Sequence, residues 1–234
     1  NQAWERDADS RMRRTQSRPV ASGRMRVSHG ASFGLLLAGI GLVELAWQVN
    51  VLAAAVAAAT LGSYVFVYTP LKTRTSLSTL VGAIPGALPP VIGWAAATGT
   101  VSFPALVLFG IVFLWQMPHF LAIAFLHKED YANAGIPLLP VLEPDGRRTG
   151  QQALLYAAVL WPVSLLPTFV GISGEAYSLV ATVLGVGLMQ GKQKLMFLPD
   201  AHTDFIYATV GEELGLWGSS AVLFGFIVIL WRGA

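Results

Sequence analysis

The chain has 234 residues, of which 54% are hydrophobic and only 12% are charged, and it contains no cysteine. Soluble domains carry about a quarter charged residues, so this composition excludes a soluble enzyme, a disordered chain and a nucleic-acid-binding domain. The lack of cysteine excludes a disulfide scaffold, and what remains is a protein that crosses a lipid bilayer several times.

The charged residues are concentrated in a few segments between long apolar stretches. Residues 1–26 contain seven arginines and three acids, whereas residues 75–127 contain no Asp, Glu, Lys or Arg. Basic loops beside apolar spans mark the cytosolic side of a membrane protein, so we expect the loops around 6–26, 72–74 and 128–148 in the cytosol. Because the chain does not begin with Met and its first residues already belong to a charged motif, we also expect that an N-terminal part is missing.

Seven apolar stretches are long enough, or nearly long enough, to cross roughly 30 Å of hydrocarbon as helices. In chain order they are 30–49, 51–68, 80–98, 103–126, 152–170, 176–189 and 214–231. The sixth, with 14 residues, is short for a span. The runs are continuous rather than alternating, which excludes the strands of a membrane barrel. The sequence therefore predicts an all-α, polytopic membrane helix bundle with about seven spans.

The first charged segment carries Asn1, Glu5 and Asp9 at intervals of four residues. On a helix this spacing places the three side chains along one face, about one turn apart. Carboxylate and amide oxygens suit Mg²⁺, and the arginines that follow suit phosphate oxygens. The pattern indicates a Mg²⁺–diphosphate site. From spacing alone, the alternative is a charged cytosolic loop that only fixes the orientation of the chain.

Three motifs of the chain resemble those of the UbiA-type intramembrane prenyltransferases, and within that family the heme O synthase branch. They are Asn1–Asp9 with Met12–Thr15 and Arg18-Pro19, then Tyr68–Lys72 running into Leu80–Pro90, and last Trp115–Phe120 with Glu129–Tyr131 and Gly135–Pro140. The resemblance covers about residues 1–185. It implies a UbiA-type fold that lacks its first helices, with a central cavity between the spans and the motif loops on the cytosolic side.

The activity that this resemblance implies is transfer of a farnesyl group from farnesyl diphosphate to a vinyl group of heme b, giving heme O. It implies that Asn1, Glu5 and Asp9 are catalytic and hold Mg²⁺ as the cofactor. It also implies that the diphosphate leaving group is neutralised by Arg14, Arg18, Lys72 and Arg74. We expect Tyr68 to stabilise the allylic cation through its aromatic face, although it could instead pack in the bundle or anchor the interface.

His119 lies inside an uncharged span, where an ionisable side chain is a functional candidate. We expect it to bind heme, as an axial ligand or through a propionate. The alternative is a histidine hydrogen-bonded inside the bundle. If the helix continues, Asp130 falls within about 20° of the same face at the cytosolic mouth, and we expect Asp130 to be a further catalytic residue.

The tail of the chain has a different character. Gln190–Phe205 and Gly211–Gly215 resemble the large extracytoplasmic loop of the SEDS family of lipid II glycosyltransferases. That resemblance implies a catalytic role for Asp204, whereas a polar connecting loop is the alternative. We therefore expect a chimera, with a prenyltransferase region at 1–186 and a SEDS-like region at 187–234.

Two other functions stay open at this stage: a fragment of a SEDS-type glycosyltransferase and an inactive membrane remnant. Because SEDS proteins are chiefly bacterial, we expect the chain in a bacterial cytoplasmic (inner) membrane. Its expected partners are farnesyl diphosphate, heme b and the lipid bilayer.

Overall fold

The structure, a computed structural model, describes residues 1–190, with side chains described for residues 1–183. Within this range all regular secondary structure is helical, which confirms the predicted all-α class. Five segments are long and apolar enough to cross a membrane, and the chain is a multi-pass membrane protein. These segments are Val27–Val49, Val51–Leu71, Ser78–Thr98, Phe103–Leu126 and Arg147–Phe169.

The five segments correspond to the first five predicted spans. The sixth predicted span forms a helix of 16 residues, Glu175–Gln190, which at 1.5 Å per residue is shorter than a bilayer core. The seventh predicted span and Asp204 lie outside the described residues. The predicted region boundary at 186/187 falls near the end of the described range and stays a prediction.

Eleven α-helices and two π-helical stretches make up the described chain. The α-helices are α1 (Arg6–Arg11), α2 (Val27–Glu44), α3 (Val51–Gly62), α4 (Thr69–Leu71), α5 (Ser78–Ala87), α6 (Pro89–Thr98), α7 (Phe103–Leu126), α8 (Lys128–Asn133), α9 (Leu139–Leu142), α10 (Arg147–Phe169) and α11 (Glu175–Gln190). The π-helical stretches, Leu45–Val49 and Ser63–Tyr68, continue α2 and α3.

Small residues allow the third and fourth spans to approach closely. On α5, Gly82, Ala83 and Ala87 are buried, and the helix packs against α7. Small side chains let membrane helices come together, where packing and hydrogen bonds replace the hydrophobic effect. The buried Gln116 of α7 donates a hydrogen bond to the Ala83 carbonyl at 3.5 Å. This long polar contact links the two helices.

Asn50 joins the second and third spans at the end of the bundle away from the charged loops. Its side-chain oxygen accepts a hydrogen bond from the backbone N–H of Ala53 at 2.8 Å and so caps α3. Its amide nitrogen donates to the carbonyls of Ala95 at 2.9 Å and Ala96 at 3.3 Å, in α6. One side chain thus satisfies both an open helix start and the last carbonyls of its neighbour.

At the opposite end of these spans, an apolar cluster holds the charged N-terminal segment against the loop after α7. The cluster consists of Met12, Ala124, Tyr131, Ala134, Ile136 and Leu138, all buried. Met12 is 2% exposed. Met12 is therefore fixed by tertiary packing and not only by its local turn.

The chain divides into two compact units, residues 1–156 and the residues from 157 onward. The described part of the second unit comprises the end of α10, which contains Pro162 and Pro167, and α11. The turn between them contains Gly171 in the left-handed conformation, with φ of 75°. Thr168 and Ser173 share a hydrogen bond of 3.2 Å across this turn.

Candidate functional site

Asn1, Glu5 and Asp9 stack along one face at the start of the chain. The backbone N–H of Glu5 donates to the carbonyl of Asn1 at 2.9 Å, and that of Asp9 donates to Glu5 at 2.8 Å. These are helical i to i−4 bonds, so successive members lie about one turn apart. Glu5 is 6% exposed and Asp9 1% exposed, whereas Asp7 is exposed on another side of the same turn.

Each buried carboxylate has a cationic partner from another part of the chain. Lys72 Nζ lies 3.1 Å from Glu5 Oε1. Arg18 Nη1 lies 2.9 Å from Asp9 Oδ2 and 3.1 Å from Oδ1. Thr15 donates its hydroxyl to the Asp9 carbonyl at 2.9 Å, which folds the loop so that Arg18 returns to the carboxylate. The structure thus brings Glu5, Asp9, Arg18 and Lys72 into one cluster.

Two tyrosines from the end of the second span border this cluster. The Asn1 amide nitrogen donates to Glu5 Oε2 at 3.1 Å and to the Tyr64 hydroxyl at 3.3 Å. The Tyr64 and Tyr68 rings lie 5.2 Å apart between centroids. Both tyrosines belong to the π-helical stretch Ser63–Tyr68, and such π stretches are frequent at functional sites.

Gly82 has no side chain, and the Tyr68 ring occupies the space where one would lie. A Cβ atom added at Gly82 would lie 2.6 Å from Tyr68 Cε2, whereas ordinary contacts begin at 3.4 Å. No other residue type fits at this position unless the ring moves. Sequence reasoning did not assign Gly82 to the site, although it falls inside the second quoted motif.

Asp130 and Arg14 meet beside this cluster. The Asp130 carboxylate accepts hydrogen bonds from the backbone N–H groups of Arg13 and Arg14. Arg14 Nη2 donates to the Tyr131 hydroxyl at 3.2 Å. The sequence analysis did not assign Tyr131 as a contact of the arginine segment. Its position directly after Asp130 in the third motif could have indicated this contact.

The helix does not continue from His119 to Asp130, so the shared-face argument for this pair is wrong. α7 ends at Leu126, and His127 leaves the helical region with φ −107° and ψ 27° before α8 begins. The break occurs because the backbone turns there to bury Tyr131 and Ile136 in the apolar cluster. The position of Asp130 follows from the contacts of α8 and not from the face of α7.

His119 and Arg74 have other described surroundings. His119 belongs to an aromatic row on α7, where its ring stacks on Trp115 with centroids 5.1 Å apart and an interplanar angle of 14°. The Phe120 ring is tilted by 46° to that of His119, with centroids 5.9 Å apart. Arg74 is exposed in the loop after α4, and in the described chain it is not among the partners of the two buried carboxylates.

The side-chain oxygens of Asn1, Glu5 and Asp9 suit a Mg²⁺ ion whose remaining ligands are waters and the oxygens of a diphosphate. Mg²⁺ is usually bound by one or two carboxylates, with waters and phosphate oxygens completing its shell. Glu5 and Asp9 supply two carboxylates and Asn1 an amide oxygen. Within residues 1–190, no group of three or more His, Asp or Glu residues could hold a metal ion by itself. The set therefore suits an ion held jointly with a phosphate-bearing substrate.

The chain is similar to known proteins over most of its length. The model of the UbiA prenyltransferase family matches residues 1–208. The chain is 52% identical over 186 residues to the protoheme IX farnesyltransferase of Solibacter usitatus, which covers 80% of this chain and 64% of the relative. It is 46% identical over 185 residues to the protein of the same name from Koribacter versatilis, covering 79% of this chain and 60% of the relative. The chain thus spans less than two thirds of these relatives.

A protoheme IX farnesyltransferase of an Anaeromyxobacter species is 40% identical over 219 residues, covering 94% of this chain and 69% of the relative. That alignment and the family match both extend beyond residue 187, the predicted start of the SEDS-like region, which stays a prediction. No solved structure matches the chain. The family match includes the cluster of Glu5, Asp9, Arg18 and Lys72, and also the contact between Arg14 and Asp130. The chain belongs to the UbiA prenyltransferase family.

Proposed function

We propose that this protein transfers a farnesyl group from farnesyl diphosphate to a vinyl group of heme b. Diphosphate leaves, and water then adds to the other vinyl carbon with loss of a proton, giving heme O. Three relatives that carry the name protoheme IX farnesyltransferase, at 40–52% identity, support this assignment. The observation that carries it is the pair of buried carboxylates, Glu5 and Asp9, each held by a cation beside two tyrosines. Such a cluster at the end of a membrane bundle suits a substrate with a charged head and an apolar tail.

In this proposal the cations of the cluster stabilise the diphosphate leaving group. Ionisation of an allylic diphosphate leaves negative charge on the diphosphate oxygens, and preorganised cations lower the free energy of that state. Lys72 and Arg18 are already fixed beside the cluster by Glu5 and Asp9. Arg14 and Arg74 extend the positive region into the flanking loops. Mg²⁺, held by Asn1, Glu5 and Asp9, would supply further Lewis-acid stabilisation of the same oxygens.

The apolar part of the bundle has the task of protecting the allylic cation. Water must be excluded until the vinyl carbon of heme attacks, and an aromatic face attracts a desolvated cation by about 2 kcal/mol. The Tyr68 ring packs against the ring of Tyr64, whose hydroxyl contacts Asn1 of the charged cluster. His119 lies within the span α7 on an aromatic row, and we assign it to the binding of heme.

The proposed location is a bacterial cytoplasmic membrane, with the charged loops on the cytosolic side. All three named relatives come from bacteria. The excess of arginine and lysine in the loops that carry the cluster supports their cytosolic placement. Every residue assigned to the proposed site lies within residues 1–130, in the part of the chain that the structure describes.

A comparison of three acids on one turn tests this function. The wild-type chain and its Glu5→Gln, Asp9→Asn and Asp7→Asn variants are incorporated into lipid nanodiscs with farnesyl diphosphate, heme b and Mg²⁺, and heme O is measured by mass. We expect Glu5→Gln and Asp9→Asn to lower the rate about 10²–10³-fold, because each removes preorganised charge. Asp7→Asn is the matched control, and equal losses at all three positions would contradict the proposed site.

A further inference from the structure

We propose that Asp130 is a positioning residue, whose carboxylate fastens the main chain of residues 12–14 and thereby places Arg14 beside the diphosphate. Its part in catalysis rests on the proposed function, but the fastening itself does not. The role differs from that of a metal ligand, which the carboxylate type alone would suggest.

The first contact is between one carboxylate and two consecutive peptide groups. Asp130 Oδ1 accepts from the N–H of Arg13 at 3.3 Å, and Oδ2 accepts from the N–H of Arg14 at 3.4 Å. The partners are more than 100 residues apart in sequence. Both distances are at the long end of the hydrogen-bond range and both bonds are exposed, so the carboxylate holds the segment through the pair of bonds and not through either one alone. The two oxygens therefore bind the backbone of the arginine segment across the fold.

Two further contacts hold the same segment from either side of these bonds. Met12, one residue before Arg13, is buried in the apolar cluster with Tyr131, Ile136 and Leu138. The Arg14 guanidinium donates to the Tyr131 hydroxyl. Side chain, backbone and guanidinium of residues 12–14 thus all contact the segment that follows α7. The combination fixes the direction in which Arg14 leaves the backbone.

The carboxylate of Asp130 is separate from the candidate metal ligands. Glu5 and Asp9 have Lys72 and Arg18 as partners, whereas both Asp130 oxygens accept from peptide N–H groups. The geometry therefore favours a structural acceptor over a second metal site.

The placement of Asp130 explains how the arginine segment stays in register with the cluster. Thr15 and Arg18 both return to Asp9, so one end of the segment is fixed by the first motif. Asp130 fixes the other end from the third motif. Without it, Arg14 would keep its charge but lose its defined position. A misplaced charged group contributes little to preorganised stabilisation.

Hydrogen exchange at two amides tests the fastening without any need for activity. Asp130→Ala and Asp130→Asn are compared with Glu129→Ala and Glu129→Gln, which make the same changes at the exposed neighbouring acid. In nanodiscs, exchange of the amides of residues 13 and 14 should rise about five- to tenfold in Asp130→Ala, because two hydrogen bonds are lost. It should rise less in Asp130→Asn, whose one carbonyl oxygen still accepts, and not at all in the Glu129 variants. Unchanged exchange in Asp130→Ala would overturn the proposal.

Calorimetric binding of inorganic diphosphate over a range of Mg²⁺ concentrations separates positioning from metal ligation. We expect Asp130→Ala to weaken diphosphate binding about five- to tenfold, with Asp130→Asn intermediate and the Mg²⁺ concentration for half-saturation unchanged. Equal losses in both variants, relieved by excess Mg²⁺, would identify a metal ligand and overturn the positioning role. Failure of the wild-type chain to bind diphosphate would contradict the proposed function, while the exchange experiment would still decide the fastening.

Discussion

Glu5 and Asp9 are side chains that proteins normally keep in water, yet both are buried here. A buried carboxylate is tolerated when it is paired and hydrogen-bonded. Glu5 has Lys72 and Asn1 as partners, and Asp9 has Arg18. At the scale of single residues, the site therefore consists of ion pairs. Removing one partner leaves the other charge buried and unpaired, which lowers the free energy of unfolding.

Lys72→Met should destabilise the chain, because it leaves the Glu5 carboxylate buried with the Asn1 amide as its remaining partner. We expect a loss of about 1–3 kcal/mol in the free energy of unfolding, measured in detergent micelles. Adding Glu5→Gln should recover part of that loss, since the unpaired charge is then removed. Arg74→Met, in the same loop but exposed, is the control, and an equal loss there would contradict the pairing argument.

Gly82→Ala should displace the Tyr68 ring, because the added methyl group would overlap it. Overpacking of this kind costs about 1–3 kcal/mol. Gly93→Ala is a matched control in the same span, since a Cβ there meets nothing within 4 Å. We expect a lower melting temperature and slower prenyl transfer for Gly82→Ala alone. Equal behaviour of the two variants would show that Tyr68 can move freely.

At the scale of secondary-structure elements, the apolar runs predict where spans exist but not where their ends lie. The fifth span begins at Arg147 and not near 152, because the helix extends beyond the apolar run into charged residues. The break at His127 was not predictable from helical periodicity, since burial of Tyr131 and Ile136 decides it. Neither π-helical stretch has a sequence signature that would have revealed it.

Asn50→Ala should loosen the contact between α3 and α6 far from the charged cluster. It removes the cap of α3, worth about 1 kcal/mol, and two hydrogen bonds to α6, worth about 1 kcal/mol each. Asn50→Ser keeps a capping oxygen without the two donors, so its loss of unfolding free energy should be smaller. Diphosphate binding should be unchanged in both variants, and a change would show that the two ends of the bundle are linked.

At the scale of the whole molecule, the distribution of charge predicts where the spans and the charged loops lie. The charge-free region of residues 75–127 contains both the third and the fourth span, and the clusters of charge lie at one end of the described spans. The spacing of Asn1, Glu5 and Asp9 predicted their shared face. It could not predict the partners Lys72 and Tyr64, because those contacts depend on how distant segments meet.

Single-cysteine labelling tests the proposed orientation, because the 234-residue chain contains no cysteine to interfere. Thr73 and Thr100 are both exposed, in the loops at opposite ends of the third span. In sealed vesicles of known orientation, Thr73→Cys should react with an impermeant reagent from the cytosolic side and Thr100→Cys from the other side. Thr203→Cys, in the tail, is expected to react from the cytosolic side. Reaction of Thr73→Cys and Thr100→Cys from one side would contradict the arrangement.

The pairing of two carboxylates with two cations has a thermodynamic consequence for the order of ligand binding. A divalent cation alone would give this balanced cluster excess positive charge, and a diphosphate alone would give it excess negative charge. Together they nearly cancel, so each ligand should raise the affinity for the other by the same factor, about 5–150-fold. Calorimetric titrations in both orders would measure this factor, and independent binding would contradict it. Under the proposed function, the cluster should therefore favour the metal–diphosphate complex over either ion alone.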